Sequence, residues 1–216
     1  MKYLAPVCLA TVLIAGCGKK EEAAPPAAAA PPAAADATPT MPPDTAAAMQ
    51  PAGATVQMAA TRGHNVTGSI TVVPMGDGVH LTGNIQGLSP NGEFGFHIHE
   101  KGDCSAPDAS SAGGHFNPTN AQHGDPQGEV HHGGDMQNAK SDDTGSAAIN
   151  VHVSGLTLGD GGPADVVGKA VVVHEKADDY KSQPAGNSGA RVSCGVITAG
   201  AVADPAAAAA PAPAAG

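Results

Sequence analysis

Two histidines separated by a single residue, His97 and His99 in GFHIHEKGDC, constrain this chain more than any other feature. Side chains alternate between the faces of a β-strand, so positions i and i+2 share a face and can grip one ion. Histidine is the commonest protein ligand for copper and zinc. Further ligand types follow: His115, His123, His132 and Asp135 in one stretch of loop, and His174 in VVVHEKADD. Together they are spaced as two metal sites that share a ligand. Three histidines and a carboxylate make a tetrahedral nitrogen–oxygen site suited to zinc. An all-imidazole set suits copper, which must accept two oxidation states. His174 can join His97 and His99 if its strand runs close to theirs.

The surrounding sequence reads as β-structure. Short stretches that alternate or are rich in β-branched residues predict strands over 55–60, 66–73, 79–86, 93–99, 146–154, 169–174 and 194–198, with a weak eighth over 136–139. Arg62-Gly63-His64-Asn65 and Pro74-Met75-Gly76-Asp77-Gly78 are turn chemistry between the first three. No long helical periodicity appears. With no Trp and few aromatics, the core must come from Val, Ile, Leu and Ala. Many short strands with Gly-rich turns suggest an antiparallel sandwich or barrel with Greek-key connections. Residues 100–134 and 175–193 are too long for turns, and loops of that length are usually functional or disordered.

The ends of the chain are of another kind. Residues 1–16 pair Lys2 with a short apolar run and read as an export signal, too short for a membrane span. The run ends in Leu13-Ile14-Ala15-Gly16-Cys17, which resembles a bacterial lipoprotein processing box; the resemblance implies cleavage before Cys17 and lipid on its sulfur and amine. Residues 17–55, rich in Ala and Pro, would be a flexible tether, 56–200 one domain, and 201–216 a disordered Ala/Pro tail. Gly18-Lys19-Lys20 lacks the aspartate that suggests inner-membrane retention, so the expected location is the periplasm, on an outer-membrane lipid anchor and with no other membrane contact. In an oxidising compartment Cys104 and Cys194 are expected to form a disulfide. The formal net charge of −10 argues against nucleic acid, which needs a basic face, and reads as solubility.

GFHIHEKGDC, GGHFNP, QHG, HGGDM, VVVHEKADD and GARVSCGVI resemble, in order, the successive motifs of the copper/zinc superoxide dismutase family, in its bacterial secreted form, and cover essentially all of residues 56–199. The resemblance implies an all-β, eight-stranded antiparallel Greek-key barrel with two long functional loops. It implies copper on His97, His99, His115 and His174, and zinc on His115, His123, His132 and Asp135, with His115 as the bridge. Asp178 would be a carboxylate linking ligand histidines of the two sites. Arg191 would sit beside copper and attract the anionic substrate, and Cys104 would pair with Cys194. The implied reaction is disproportionation of superoxide to oxygen and hydrogen peroxide by copper redox cycling, with His115 taking up a proton and zinc holding the bridge. A homodimer is possible, but the family's oligomeric state does not transfer to this branch.

The remaining histidines have plainer readings. His64, His80 and His152 are expected at the surface or in ordinary hydrogen bonds, and His131 yields to His132 because His132-Gly-Gly-Asp135 has the family spacing. Glu175, Lys176 and Asp179 read as loop charges. The segment before Arg191, DDYKSQPAGNSGA, has Lys181 as its only basic residue, so steering of an anion by extra charges there is expected either to be weaker or to fall to residues not placed by the sequence. Two rival functions are an exported metal buffer and a catalytically dead barrel. Neither calls for Arg191, Asp178 and a complete ligand set together.

Overall fold

A computed structural model describes residues 53–200. The expected signal, Cys17, almost all of the tether and the C-terminal tail lie outside the described residues. The strands are β1 (Gly53–Ala60), β2 (Thr67–Met75), β3 (Gly78–Gln86), β4 (Glu93–Phe94), β5 (Phe96–His99), β6 (Ala139–Lys140), β7 (Ala147–Ser154), β8 (Ala170–His174) and β9 (Arg191–Gly200). Among the described residues the only helical element is a 3-10 turn, Ser110–Ala112.

Seven strands form one antiparallel sheet in the order β5-β8-β9-β1-β2-β3-β7, and β4 pairs with β6. β4 continues into β5 and β6 lies beside β7, so the short pair joins the two edges and the sheet curls into a barrel. β1, β2 and β3 form a meander, and the connections β3 to β4 and β7 to β8 cross between opposite edges, as in a Greek key. The alternation of β3 is typical: Val79, Leu81 and Ile85 are buried while Thr82 and Asn84 stand outside the core.

β5 and β8 break the alternation, because every residue in both is buried. Their second face is covered by loop. Ala170 and Val172 of β8 pack with Ala109, Ala112, Cys194 and Cys104 in a small cluster separate from the barrel core. Cys104 and Cys194 are disulfide-bonded across a separation of 90 residues, which pins the long loop to β9.

The strand expected over 93–99 divides at Gly95, whose N donates to Lys176 O at 2.7 Å and whose O accepts from His174 N at 2.8 Å. One bond goes to the second loop and the other to the last residue of β8, so Gly95 leaves the regular β5–β8 ladder. The weak strand expected over 136–139 lies instead at Ala139–Lys140. Met136 is in the core, and the Asn138 side chain is bonded to Asp178, so the chain up to 138 belongs to the metal-site loop. β1 begins at Gly53, slightly before the expected domain start, and β9 begins at Arg191 rather than Cys194.

Candidate metal centre

β5 fixes the geometry. Phe96 and Ile98 point into the core, so His97 and His99 point away from it, beneath the loop. The loop occupies the free edge of β5: Ile98 N donates to Gly134 O (2.9 Å), Phe116 N to Ile98 O (2.8 Å) and Gly134 N to Phe116 O (2.7 Å). Asp135 is thereby set opposite His97 and His115 opposite His99. A Cβ on Gly134 would stand 2.2 Å from Ile98 O, so this approach requires glycine. On its other edge β5 pairs with β8, which ends in His174.

One ligand atom from each of His97, His99, His115 and His174 lies within 4.8 Å of the others, and the same holds for His115, His123, His132 and Asp135. All of these side chains are buried. His115 belongs to both groups. Its ring centroid is 4.0 Å from that of His97 and 5.1 Å from His99 on one side, and 5.3 Å from His123 and 5.5 Å from His132 on the other.

Hydrogen bonds identify which nitrogens are free. His97 Nε2 donates to Asp178 Oδ2 (2.7 Å), His99 Nδ1 to Gly113 O (3.0 Å) and His174 Nδ1 to Gly189 O (3.3 Å). The lone pairs left are on His97 Nδ1, His99 Nε2 and His174 Nε2, and the latter two are 3.4 Å apart. His123 Nε2 donates to Asp178 Oδ1 (3.0 Å), which leaves its Nδ1. Asp178 therefore ties one histidine of each group. Buried, partnerless nitrogens include His97 Nδ1 and His115 Nε2 in the first group, and His123 Nδ1 and His132 Nδ1 in the second. Buried polar atoms rarely lack partners, so orphaned nitrogens converging in two places are what metal ions would satisfy.

The second group closes on Asp135. Its Oδ1 accepts from His115 Nδ1 at 2.7 Å and lies 3.3 Å from His132 Nδ1, while Oδ2 lies 3.0 Å from His123 Nδ1. The amides of His132 (2.8 Å) and Gly124 (3.1 Å) also donate to Oδ2.

Burial controls the charge states. Desolvation pushes His97 down to about 4, His174 to about 3 and His99 well below its ordinary value. All three are neutral at pH 7, the form that binds metal. Desolvation opposes ionisation of Asp135 and Asp178, yet the imidazoles of His115 and His123 beside the first, and hydrogen bonds from His123 and His97 to the second, hold both well below the carboxylate range. In His123 burial is outweighed by Asp135 and Asp178, which raise it to about 9. Without metal, His123 thus holds a proton between two carboxylates, where a cation would take that proton's place.

Arg191, half-buried, donates through Nη1 to Ala109 O and through Nη2 to Gly113 O, both at 2.6 Å. Gly113 O also accepts from His99, so the guanidinium is one carbonyl removed from the first group. Ala109 and Gly113 lie in the loop that the disulfide fastens to β9.

The support behind the ligands was not read from the sequence. Gln183 grips the backbone of His123, accepting from its N (3.0 Å) and donating to its O (2.8 Å). Asn138 grips the backbone of Asp178 (Nδ2 to O 3.0 Å, N to Oδ1 2.9 Å), and the Tyr180 hydroxyl accepts from Asn138 N (2.8 Å). Asp179 is no bare loop charge: it accepts from Lys181 N, Ser182 N, Ser182 Oγ and Asn187 Nδ2. No motif marks these residues, because each acts on the backbone of a segment distant in sequence. His131 donates to His132 O and stands outside both groups. His80 and His152 face each other across β3 and β7, with His152 bonded to Asp77.

Known proteins resemble this arrangement. A family model described as copper/zinc superoxide dismutase matches residues 66–197. Cu-Zn superoxide dismutase 2 of Aquifex aeolicus (strain VF5) is 44% identical over 135 residues, 61% of this chain and 79% of the relative. The solved clock protein EA4 superposes with a TM-score of 0.62 at 41% identity, over 69% of this chain and 96% of that one. A solved SOD-like protein from Bacillus subtilis gives 0.61 at 37% identity, over 66% and 97%.

Proposed function

The chain belongs to the copper/zinc superoxide dismutase family, and on that premise we propose that it disproportionates superoxide outside the cytoplasm, with copper on His97, His99, His115 and His174 and zinc on His115, His123, His132 and Asp135. The observation that carries the assignment is the pair of buried donor sets sharing His115, with their partnerless nitrogens. The first set is all imidazole and suits copper; the second adds a carboxylate and suits zinc.

Copper, when bound, supplies a centre that accepts one electron from a first superoxide and returns one to a second. The rest falls to the protein. Asp178 holds His97 and His123 in the tautomers that leave Nδ1 free, while Gly113 O and Gly189 O do the same for Nε2 of His99 and His174. Burial keeps His97, His99 and His174 deprotonated at neutral pH. His115 Nε2 is our assignment for the proton carrier: it is buried, lacks a partner and lies in the first set, so a proton held there is beside the reacting anion. With a second proton from water, two superoxide ions give one oxygen and one hydrogen peroxide. Arg191 attracts and orients the anion, its guanidinium fixed by Ala109 O and Gly113 O.

Export and lipidation at Cys17, a tether over 17–55, a domain over 56–200, an outer-membrane anchor facing the periplasm and a possible homodimer belong to the same proposal. The lipobox-like sequence and the disulfide of the folded part support the compartment.

The deciding experiment measures metal content and dismutation rate together on purified protein loaded with copper and zinc. One equivalent of each per chain, with fast turnover lost on copper removal, is the expected result. Tight binding with negligible turnover would instead mark a metal-holding protein.

A further inference from the structure

The chain has two arginines, Arg62 and Arg191, and both line a single cavity of about 300 Å³ with Thr61, His64, Asp108 and Ser110. With a formal net charge of −10, most of the surface repels an approaching anion. Two arginines lining one cavity make a local exception. Lys176 and Lys181, the basic residues of the second loop, are not on that wall.

Arg62 is exposed, but its backbone is fastened. Thr61 N donates to Val192 O (3.2 Å), Thr61 Oγ1 to Arg191 O (2.7 Å) and Arg62 N to Pro107 O (2.8 Å). The β1–β2 turn is thus tied both to the strand start that carries Arg191 and to the disulfide loop. Further in, Arg191 shares Gly113 O with His99. Gly189 lines the same cavity, holds His174 through its carbonyl, and also lines the cavity of about 170 Å³ on which His174 opens. Exposure falls from Arg62, which is exposed, through the half-buried Arg191 to the buried imidazoles of His99 and His174. Asp108 is the one carboxylate on the wall, against two cations, and its Oδ1 is engaged by Ser110 N at 3.0 Å.

We propose that Arg62 is an anion-guiding residue of this centre, the outer of two guanidiniums that a small monoanion passes on its way to the metal group. The inference rests on the superoxide reading above. It assigns to the turn after β1 the steering that the segment before Arg191 lacks.

Two measurements test it. In zinc-loaded, copper-free protein labelled with nitrogen-15, the two arginine Nε–H signals are followed during titration with azide, a small monoanion. Both are expected to move on one saturation curve, and R62Q is expected to weaken the azide response of Arg191 severalfold. In protein loaded with both metals, R62Q is expected to lower the second-order rate of superoxide decay about two- to tenfold at low salt, to flatten its dependence on ionic strength, and to leave metal content unchanged. R62K is expected to keep most of the rate, because guiding a diffusing ion needs charge more than fork geometry. Equal rates and salt slopes in R62Q and parent would overturn the proposal, as would an azide titration in which Arg191 alone responds, identically in both proteins. A parent without turnover removes the superoxide reading alone, and the azide titration then decides the role of Arg62.

Discussion

His115 is the residue on which the two halves of the site depend. It is the shared member of both donor sets, with Nδ1 against Asp135 and Nε2 unpartnered. His115→Ala removes a ligand from each set at once. Dismutation should fall by about a hundredfold or more, since outer-shell changes alone cost 10–100-fold at metal sites. Metal analysis of the variant should find mixed occupancy, and parent-like activity would sink the bridge assignment. Gly186 is the less visible dependence. It has φ +64°, and an added Cβ would fall 1.7 Å from Asp178 Oδ1 and 2.8 Å from His123 Nε2. Gly186→Ala must displace Asp178, so zinc affinity measured by chelator competition should drop about 10–100-fold with every ligand still present. The two converging donor groups were legible in sequence, being scarce residue types at marked spacing. Asn138, Gln183 and Gly186 were not, because their chemistry is directed at backbone and side-chain atoms that only folding brings near.

Among the elements, β5 and the disulfide loop decide whether the site exists. The strand offers His97 and His99 on one face, but the loop laid along its edge supplies Asp135 and His115. The same loop carries Ala109 and Gly113, the acceptors that hold Arg191. Cys104→Ser should therefore do two things. It should cost about 2–5 kcal/mol in denaturant unfolding, as expected for loss of a native disulfide. It should also reduce dismutation more than it reduces bound metal, because His97, His99 and His174 stay on their strands and the backbone bonds of Ile98 keep His115 and Asp135 beside them, while the anchor of Arg191 loosens. An equal loss of both would place the disulfide's role in metal retention. The split of the 93–99 stretch at Gly95 shows why element boundaries escaped the sequence: β propensity runs through Gly95, but its hydrogen bonds go to Lys176 and His174.

At the scale of the whole molecule, protonation couples the site to stability. His97 and His174 have folded values of about 4 and 3, below the unfolded value near 6.5, so the unfolded chain binds the extra protons as pH falls. Their contribution is present above about pH 6.5 and is lost on acidification, and the depressed Asp135 and Asp178 act in the same direction at lower pH. His123 has the opposite sign. Raised to about 9, it contributes stability that is complete below about pH 6.5 and is lost as pH rises through 9. Calorimetry of the metal-free protein should give a melting temperature highest near neutrality and falling on both sides. In the zinc-loaded protein the alkaline fall should vanish, because the His123 proton has already been displaced. An alkaline fall that persists would put His123 outside the zinc set. The proposed lipid anchor is tested on the same scale: on that proposal Cys17→Ser should move the protein from the membrane fraction to the soluble one, assayed by fractionation.

By itself the sequence determined the β class, the two candidate donor sets and the family, because metal-ligating side chains are few residue types and their order along the chain carries the pattern. Tertiary structure alone decided which nitrogen of each histidine is free, which residues hold Asp178 and His123 in place, and that Arg62 shares a cavity with Arg191. The physical reason is the same in each case. Hydrogen bonds and local electric fields act over a few ångströms, and the partners here lie far apart in the chain, 130 residues in the bond from Thr61 Oγ1 to Arg191 O.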